Sequence, residues 1–502
     1  MADTQRRTIV EQVEFAQVFG FPKILRAVTM GFQPPRLALG LVMVAALMVA
    51  GRAWDWATEP TIHPEGLTAG LWTDGDARRA RMTYQSAILA YVDDADQPDG
   101  DSADWEFVAH EVMAVVSRGY LQKRRAVEED EVPRTLNEDD YFRTMERLEE
   151  ARPRGTFEAT ARHVTDGFSA VISSIVLVEP RAFFVAVEDL YLHMPEALWR
   201  DHKPFTIVYA LVLIVVLAFG GGALSRMTAC EIGLGEKLRA QDGVDFAMGS
   251  WRSLLFSLLL PLLIAAALAG LLVLGGLLLR LPWIDVLGGI LYGLALLAGF
   301  GVAFLVIGYA LGFSLLVPAV ACENCDASDA QQRAYAYVLG RPLHLLGYGF
   351  TGLIGLAIGF VVISFIASLM LNFTAGLIGV WSDNSAFTTA GGASLFNLTG
   401  DTMALHLSWH SQVAGWFVSF WHTVVVGVVG GYVFANYFSG STIVYLLMRR
   451  ACDGQEITEI GSRGRFRAPR PQCRSIKTTP RPSPTADTNR NWSAGGCHAL
   501  TP

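Results

Sequence analysis

Leu287 to Glu323 reads LGGILYGLALLAGFGVAFLVIGYALGFSLLVPAVACE, with no Asp, Glu, Lys or Arg before its last residue. An α-helix rises about 1.5 Å per residue, so about 20 apolar residues cross a hydrocarbon core of about 30 Å. The stretch is long enough to span a membrane and too apolar to be covered by a soluble fold of ordinary size. Placed at 287–317, it is one of six such runs, the others falling at 36–54, 205–225, 253–279, 343–372 and 414–448. The last three in chain order exceed the minimum and are expected to tilt or project beyond the bilayer. The composition agrees: of 502 residues, 52% are hydrophobic and 17% charged. The fold class expected is an all-α integral membrane protein with about six transmembrane helices, two helix-elbow-helix hairpin repeats and a helical extramembrane insert.

Orientation follows from the cations. Arg226, Lys237, Arg239 and Arg252 lie between the second and third runs, and Arg333 and Arg341 between the fourth and fifth. Residues 373–413 hold no Lys or Arg, and the link near 280–286 holds only Arg280. By the positive-inside rule the basic loops are cytoplasmic. Arg6, Arg7, Lys23, Arg26 and Arg36 at one end and Arg449 and Arg450 at the other put both termini inside, as expected for the inner membrane of a bacterial cell. The first run starts only at Arg36 and lacks a small-residue cleavage site, so it is expected to remain as a helix.

Five segments result: 1–35, a cytoplasmic N-terminal segment with an interfacial helix; 36–54, the first transmembrane helix; 55–204, an acidic external domain; 205–448, the membrane domain with helices 2 to 6; and 449–502, a disordered basic cytoplasmic tail. The net charge of -8 is concentrated in 55–204, which carries 30 Asp plus Glu against 16 Lys plus Arg. That distribution gives no basic face for nucleic acid, and no DNA or RNA partner is expected. Inside the insert, Ala77–Asp93, Ala103–Ala126, Glu138–Ala151 and Gly167–Leu198 are rich in helix formers. The apolar piece Phe168–Val178 is too short to cross a bilayer and reads as a core helix. The tail mixes Arg, Pro, Ser and Thr in a composition typical of disorder. A plain solvated tail is expected there, with contact to anionic lipid as the alternative.

An internal echo organises the membrane part. Ala229-Cys230-Glu231 closes the second run and Ala321-Cys322-Glu323 the fourth. A short polar segment follows each: Asp242 and Asp245 lead to Trp251-Arg252, and Asp326 and Asp329 lead through Tyr335 and Tyr337 to Arg341-Pro342. Two related hairpins are implied, each a membrane helix, an interfacial helix and a returning membrane helix. Asp326 and Asp329 suit the positive end of the interfacial helix, and Arg333 lies four residues beyond Asp329, at pairing distance. Two readings fit Glu323, Asp326, Asp329, Arg333 and Arg341, with Glu231, Asp242, Asp245 and Arg252 as repeat equivalents. One is a head-group or ion site at the cytoplasmic boundary. The other, which is the commoner use of such residues, is a capped and salt-bridged elbow.

Val317-Pro318-Ala319-Val320, Glu323, Asp329-Ala330, Arg333 and Tyr337 together resemble a bacterial membrane type. It is the membrane domain fused to some glycerophosphodiester phosphodiesterases, with its stand-alone, planctomycete-like multi-pass relatives. Phe21-Pro22-Lys23, Gln33-Pro34-Pro35 and Arg226-Met227-Thr228-Ala229 are similar to the same group. The resemblance covers about two-thirds of the chain, implies a lipid-related setting, and brings no catalytic residue with it. The acidic insert departs from the simpler members, and no phosphodiesterase domain is evident.

Other features favour plain structural readings. Cys322-Glu323-Asn324-Cys325 lacks the second pair or nearby histidines that zinc requires. All six cysteines fall in segments read as cytoplasmic, which suits free thiols. His406, His410 and His422 could form an outer metal trio, but Trp409, Trp416 and Trp421 make an interfacial aromatic belt the simpler explanation. Neither metal nor cofactor is expected. The inferred hydrocarbon centres hold essentially no ionisable groups, which speaks against proton coupling. Gly352, Gly355 and Gly359, with Gly427, Gly430 and Gly431, suit close helix contact. No GxxxxGK[ST] or GxSxG motif occurs, so an enzyme is not the expectation. The leading expectation is a scaffold or envelope-organising component of the lipid bilayer that binds a protein partner through residues 55–204. A lipid or amphiphile transporter with head-group contacts at the elbow is the alternative.

Overall fold

The computed structural model describes residues 21–91, 105–128, 138–279, 284–381, 393–395 and 409–461. The described residues belong to one compact unit ending at Gly461. They are helical, with no strand among them beyond isolated bridges from Ile62 to Leu71 and to Arg154.

Helix α1 (Phe21–Gly31) precedes α2 (Pro34–Ala57). Pro34 and Pro35 occupy the first turn of α2, where a missing N–H costs nothing. The insert contributes α3 (Asp74–Tyr91), α4 (Trp105–Glu128), α5 (Glu138–Glu150), α6 (Thr156–Val176), α7 (Pro180–Glu188) and α8 (Met194–Asp201), with a π-turn at Asp189–His193 between the last two. The membrane body follows as α9 (Lys203–Gly233), α10 (Ala240–Gly249), α11 (Trp251–Leu278), α12 (Ile284–Glu323), α13 (Ala327–Gly340), α14 (Pro342–Gly379) and α15 (Trp409–Asp453). Six of these, α2, α9, α11, α12, α14 and α15, are long and apolar enough to cross a membrane. The chain is a multi-pass, all-α membrane protein.

The two hairpins are α9-α10-α11 and α12-α13-α14. Their elbow helices differ in length, 10 residues in α10 and 14 in α13. Asp242 and Asp329 hold the same place in the two, three residues beyond the N-cap, where a carboxylate favours the positive helix end. Asp242 accepts the Arg239 backbone N–H at 3.2 Å. Asp245 and Asp326 have no such equivalence, which revises the pairing suggested by their spacing alone. Asn324 adopts φ 53° at the turn out of α12, a left-handed position that Asn tolerates well.

Helix α15 sits among α2, α9, α12 and α14, with α1 laid against it. The backbones of α2 and α15 meet at Gly40 and Gly431, where a Cβ on either residue would collide with the other chain segment. Gly359 likewise leaves room for the Tyr432 ring. The largest buried cluster lies at the elbow end and joins Leu315–Val317, Ala334, Tyr337 and Ile443–Met448.

Residues 55–204 are expected as one domain, but they divide in two. Helices α3, α4 and α5 surround their own core of Tyr84, Ile88, Val112, Val116, Tyr120, Tyr141 and Leu148. Tyr120 and Tyr141 stack at 4.3 Å, and Tyr141 shares a 2.9 Å hydrogen bond with Ser117. Helix α6 instead joins the membrane body. Asp55, near the end of α2, accepts the backbone N–H groups of Phe157 at 2.8 Å and Glu158 at 2.9 Å, capping α6 from 102 residues away. Gly155 lies against that carboxylate, leaving no space for a Cβ. Farther along α6, Phe168 packs edge-on against Phe360 at 5.2 Å, midway along α14, and Ile172 is fully buried.

Within the helix-rich stretch Gly167–Leu198, α6 ends at Leu177–Glu179, at the end of the Phe168–Val178 segment read as a core helix. Glu179 N–H donates to Ser174 O at 2.8 Å and Val178 N–H to Ile175 O at 3.3 Å, the Schellman pattern of a helix end. Val178 occupies the left-handed position at φ 57°, an uncommon place for a β-branched residue. Pro180 then opens α7.

Arg152 joins the two parts of the insert. It contacts Glu149 at the end of α5 at 2.6 Å and Glu158 of α6 at 2.5 Å. Burial alone would raise the Glu158 pKa, but the Arg152 hydrogen bonds and charge outweigh it and hold the carboxyl below its ordinary value. A depressed folded-state pKa gives stability that is present above the unfolded pKa and lost as pH falls through the folded one. Thermal unfolding followed from pH 6 to pH 3 should therefore show a steeper acid loss in the wild type than in Arg152→Gln. Parallel curves would dissociate Glu158 from acid stability.

Candidate functional site

The two Ala-Cys-Glu segments end spanning helices, so each carboxylate faces the negative end of its own helix, an unfavourable place. Each is compensated by an arginine from a distant helix. Glu231 receives Arg36 at 3.0 Å, with Arg36 1% and Glu231 7% exposed. Gln33 donates to both Glu231 carboxylate oxygens at 3.1 Å. The other terminal nitrogen of Arg36 donates to Ser439 Oγ at 3.2 Å, and Ser439 is bonded to Thr228. One cluster thus ties α2, α9 and α15 together.

Glu323 heads the second cluster. It receives Arg449 at 3.2 Å, Arg333 at 3.0 Å and the Tyr445 hydroxyl at 3.0 Å. Arg449 is 2% exposed and also donates to Glu456 O at 2.7 Å and Glu459 O at 2.6 Å. Arg226 donates to Ala321 O at 2.8 Å and Gly461 O at 3.1 Å, and its guanidinium lies 4.7 Å over the Phe246 ring. Gly461 N–H returns to Cys322 O at 2.9 Å, and Tyr337 bonds Asp453. The segment Gly454–Gly461 is thereby clamped under the elbows, a correction to its expected place in a disordered tail. The rest of that tail, with Cys473 and Cys497, lies outside the described residues. Ser250 and Asn324 join the two elbows directly at 3.3 Å.

Of the residues expected at the elbow, the structure brings Glu323 and Arg333 together and buries Glu231. Arg333 turns to Glu323 rather than to Asp329, its expected partner. Asp326, Asp329, Arg341, Asp242, Asp245 and Arg252 are exposed. Gln33, Arg36, Arg226, Ser439, Tyr445 and Arg449 are the partners that sequence reading passed over. Arg36, Arg226 and Arg449 stand in the sequence as charges bordering apolar runs, but only as markers of orientation.

Cys322 and Cys325 are free thiols. Burial pushes the Cys325 thiol up to about 11, away from the range of reactive thiolates. Alkylation of Cys325 at pH 7 should run at least about tenfold slower than that of an ordinary exposed thiol of pKa ~8.5. Mass spectrometry of the maleimide-treated protein would read this, and rapid labelling would refute it. Among the described residues no group of three His, Cys, Asp or Glu is placed to hold a metal ion. His406 lies outside the described residues, and His422 lies on α15.

Comparison with protein-family models, with curated proteins and with solved structures gives no match.

Proposed function

We propose that this protein is a scaffold of the bacterial inner membrane, with both termini cytoplasmic, that binds a protein partner through the α3–α5 unit of its external insert. The observation that supports this reading most is the division of labour between charges. The elbow carboxylates Glu231 and Glu323 are engaged by the chain's own arginines, which gives the membrane body a fixed frame. The α3–α5 unit has a separate core and is carried on that frame through Arg152 and the Asp55 cap. An independently packed unit on a braced body suits presentation of a surface.

The test replaces Asp74–Glu150 by a Gly/Ser linker, leaving α6–α8 in place. Both proteins are then purified from native membranes in gentle detergent, and co-purifying proteins and lipids are identified by mass spectrometry. A stoichiometric protein partner lost with the unit supports the scaffold. Retention of every partner overturns it.

The alternative is an amphiphile transporter, favoured by the resemblance of the elbows to phosphodiesterase-fused membrane domains. Of its three proposed head-group contacts, Arg341 remains exposed, while Glu323 and Arg333 engage each other. A specific lipid retained without a protein partner, with flux in reconstituted vesicles, would bring this reading forward.

A further inference from the structure

Arg154 follows the last helix of the α3–α5 unit and is 4% exposed. Its backbone is pinned by paired bonds with Ile62, at 3.2 Å and 3.0 Å, so the side chain emerges from a fixed point. Its Nε is buried without a hydrogen-bond partner, and among the described residues no carboxylate lies within ion-pair distance of its guanidinium. The two carboxylates that act on it electrostatically, Glu158 and Glu149, are both ion-paired with Arg152. A guanidinium does not shed its proton in a protein, so an unmatched buried one is costly and attracts a negative group.

The same residue lines a cavity of about 580 Å³ between the α3–α5 unit and α6. Arg162, His63, His163 and Arg79 also line it. Four acidic residues share the wall, and they matter to the choice of ligand. Asp76 is held by Thr73 and Arg79, and Asp166 faces Arg162 at 3.8 Å. Glu65 is 80% exposed, and Glu150 is exposed as well. None of the four compensates Arg154. Burial first, and then the charge of Arg162, hold the Arg154 pKa below its usual value against the opposing charges of Glu158 and Glu149.

We propose that this cavity is a binding site for a small oxyanion, a carboxylate or a phosphate, with Arg154 as its anchoring cation. The planar guanidinium offers a two-pronged donor that matches either group. The wall is mixed in charge rather than uniformly basic. That suits a compact anion with further polar groups and not a polyanion. The site is independent of the scaffold reading, since it requires neither a protein partner nor the elbows.

The test is calorimetric titration of the full-length protein in detergent with sodium phosphate, and separately with sodium malonate, at constant ionic strength set with chloride. The wild type should bind one of the two, and Arg154→Gln should lose at least tenfold in affinity. Arg118→Gln, at an exposed position of α4 outside the cavity, should bind as the wild type does. Should Arg154→Gln fail to fold, Arg154→Lys keeps the charge but not the two-pronged geometry, and should weaken binding several-fold. Binding of phosphate alone points to a phosphorylated ligand, and of malonate alone to a carboxylate. Equal affinities in wild type and both Arg154 variants, or no binding of either anion by the wild type, would overturn the proposal.

Discussion

Arg36→Ala is expected to destabilise the membrane body by about 3–5 kcal/mol, because it strands Glu231 as an uncompensated buried charge. The size follows from the surroundings. Glu231 is 7% exposed, stands in the last turn of α9, and would keep only Gln33 as a close donor. Arg26 also approaches Glu231, at 3.9 Å, but it is 56% exposed and belongs to the class of surface pairs worth about 0–1 kcal/mol. Arg26→Ala is therefore the natural control. The double variant Arg36→Met with Glu231→Met should lose less than the two single changes added together, since buried ion pairs exchanged for apolar side chains leave no orphaned charge. Unfolding midpoints in a fixed detergent give the comparison. A loss for Arg36→Ala no larger than that for Arg26→Ala would mean that the cluster does not brace α2 against α9 and α15.

The uneven legibility of this region has physical causes. Glu231 and Glu323 stood out because both end apolar runs within the same tripeptide, a local signal. Their buried arginine partners, Arg36 and Arg449, come from the first and last spanning helices, so no spacing rule connects them. Arg333 is instructive: its four-residue separation from Asp329 invites a helical pair, yet the nearly buried Glu323 carboxylate offers the stronger attraction. The clamp at Gly454–Gly461 is made largely by backbone carbonyls of Glu456, Glu459 and Gly461. Every residue has such a carbonyl, so composition could not reveal it. The end of α6 was legible only as the end of the apolar piece Phe168–Val178, because its cap carries no typical residue. Helix ends of this type usually carry Gly or Asn in the left-handed position, and here Val178 takes it. Pro180 was the remaining cue, and alone it marks a boundary without showing that the chain reverses. The six spanning helices needed no such help, since length and apolarity are summed over 20 or more positions.

Glycine substitutions at two kinds of helical position should move stability in opposite directions. Gly40→Ala places a methyl group against the Gly431 carbonyl, where backbone meets backbone and no side-chain rotation can make room. At Gly431 a new Cβ would stand 2.6 Å from Leu41 N and 2.9 Å from Gly40 C. Either change has to separate α2 from α15 or bend one of them, at a cost typical of overpacking, about 1–3 kcal/mol for one methyl group. Gly40→Leu should exceed that and yield little folded protein. Gly293, also on a spanning helix, has nothing within 4 Å of the position of a Cβ. There Ala brings only its better helix propensity, worth up to about 1 kcal/mol. Gly293→Ala should leave the unfolding midpoint unchanged or raise it, while Gly40→Ala and Gly431→Ala lower it. The double variant of Gly40 and Gly431 should cost less than the sum, because helices already parted by the first methyl accommodate the second. Full additivity at this pair, or equal midpoints for Gly40→Ala and Gly293→Ala, would show that α2 and α15 do not meet there. The first and last spanning helices would then be held by the Arg36 cluster and by side-chain contacts such as Leu41 at Gly427 and Val44 at Gly430.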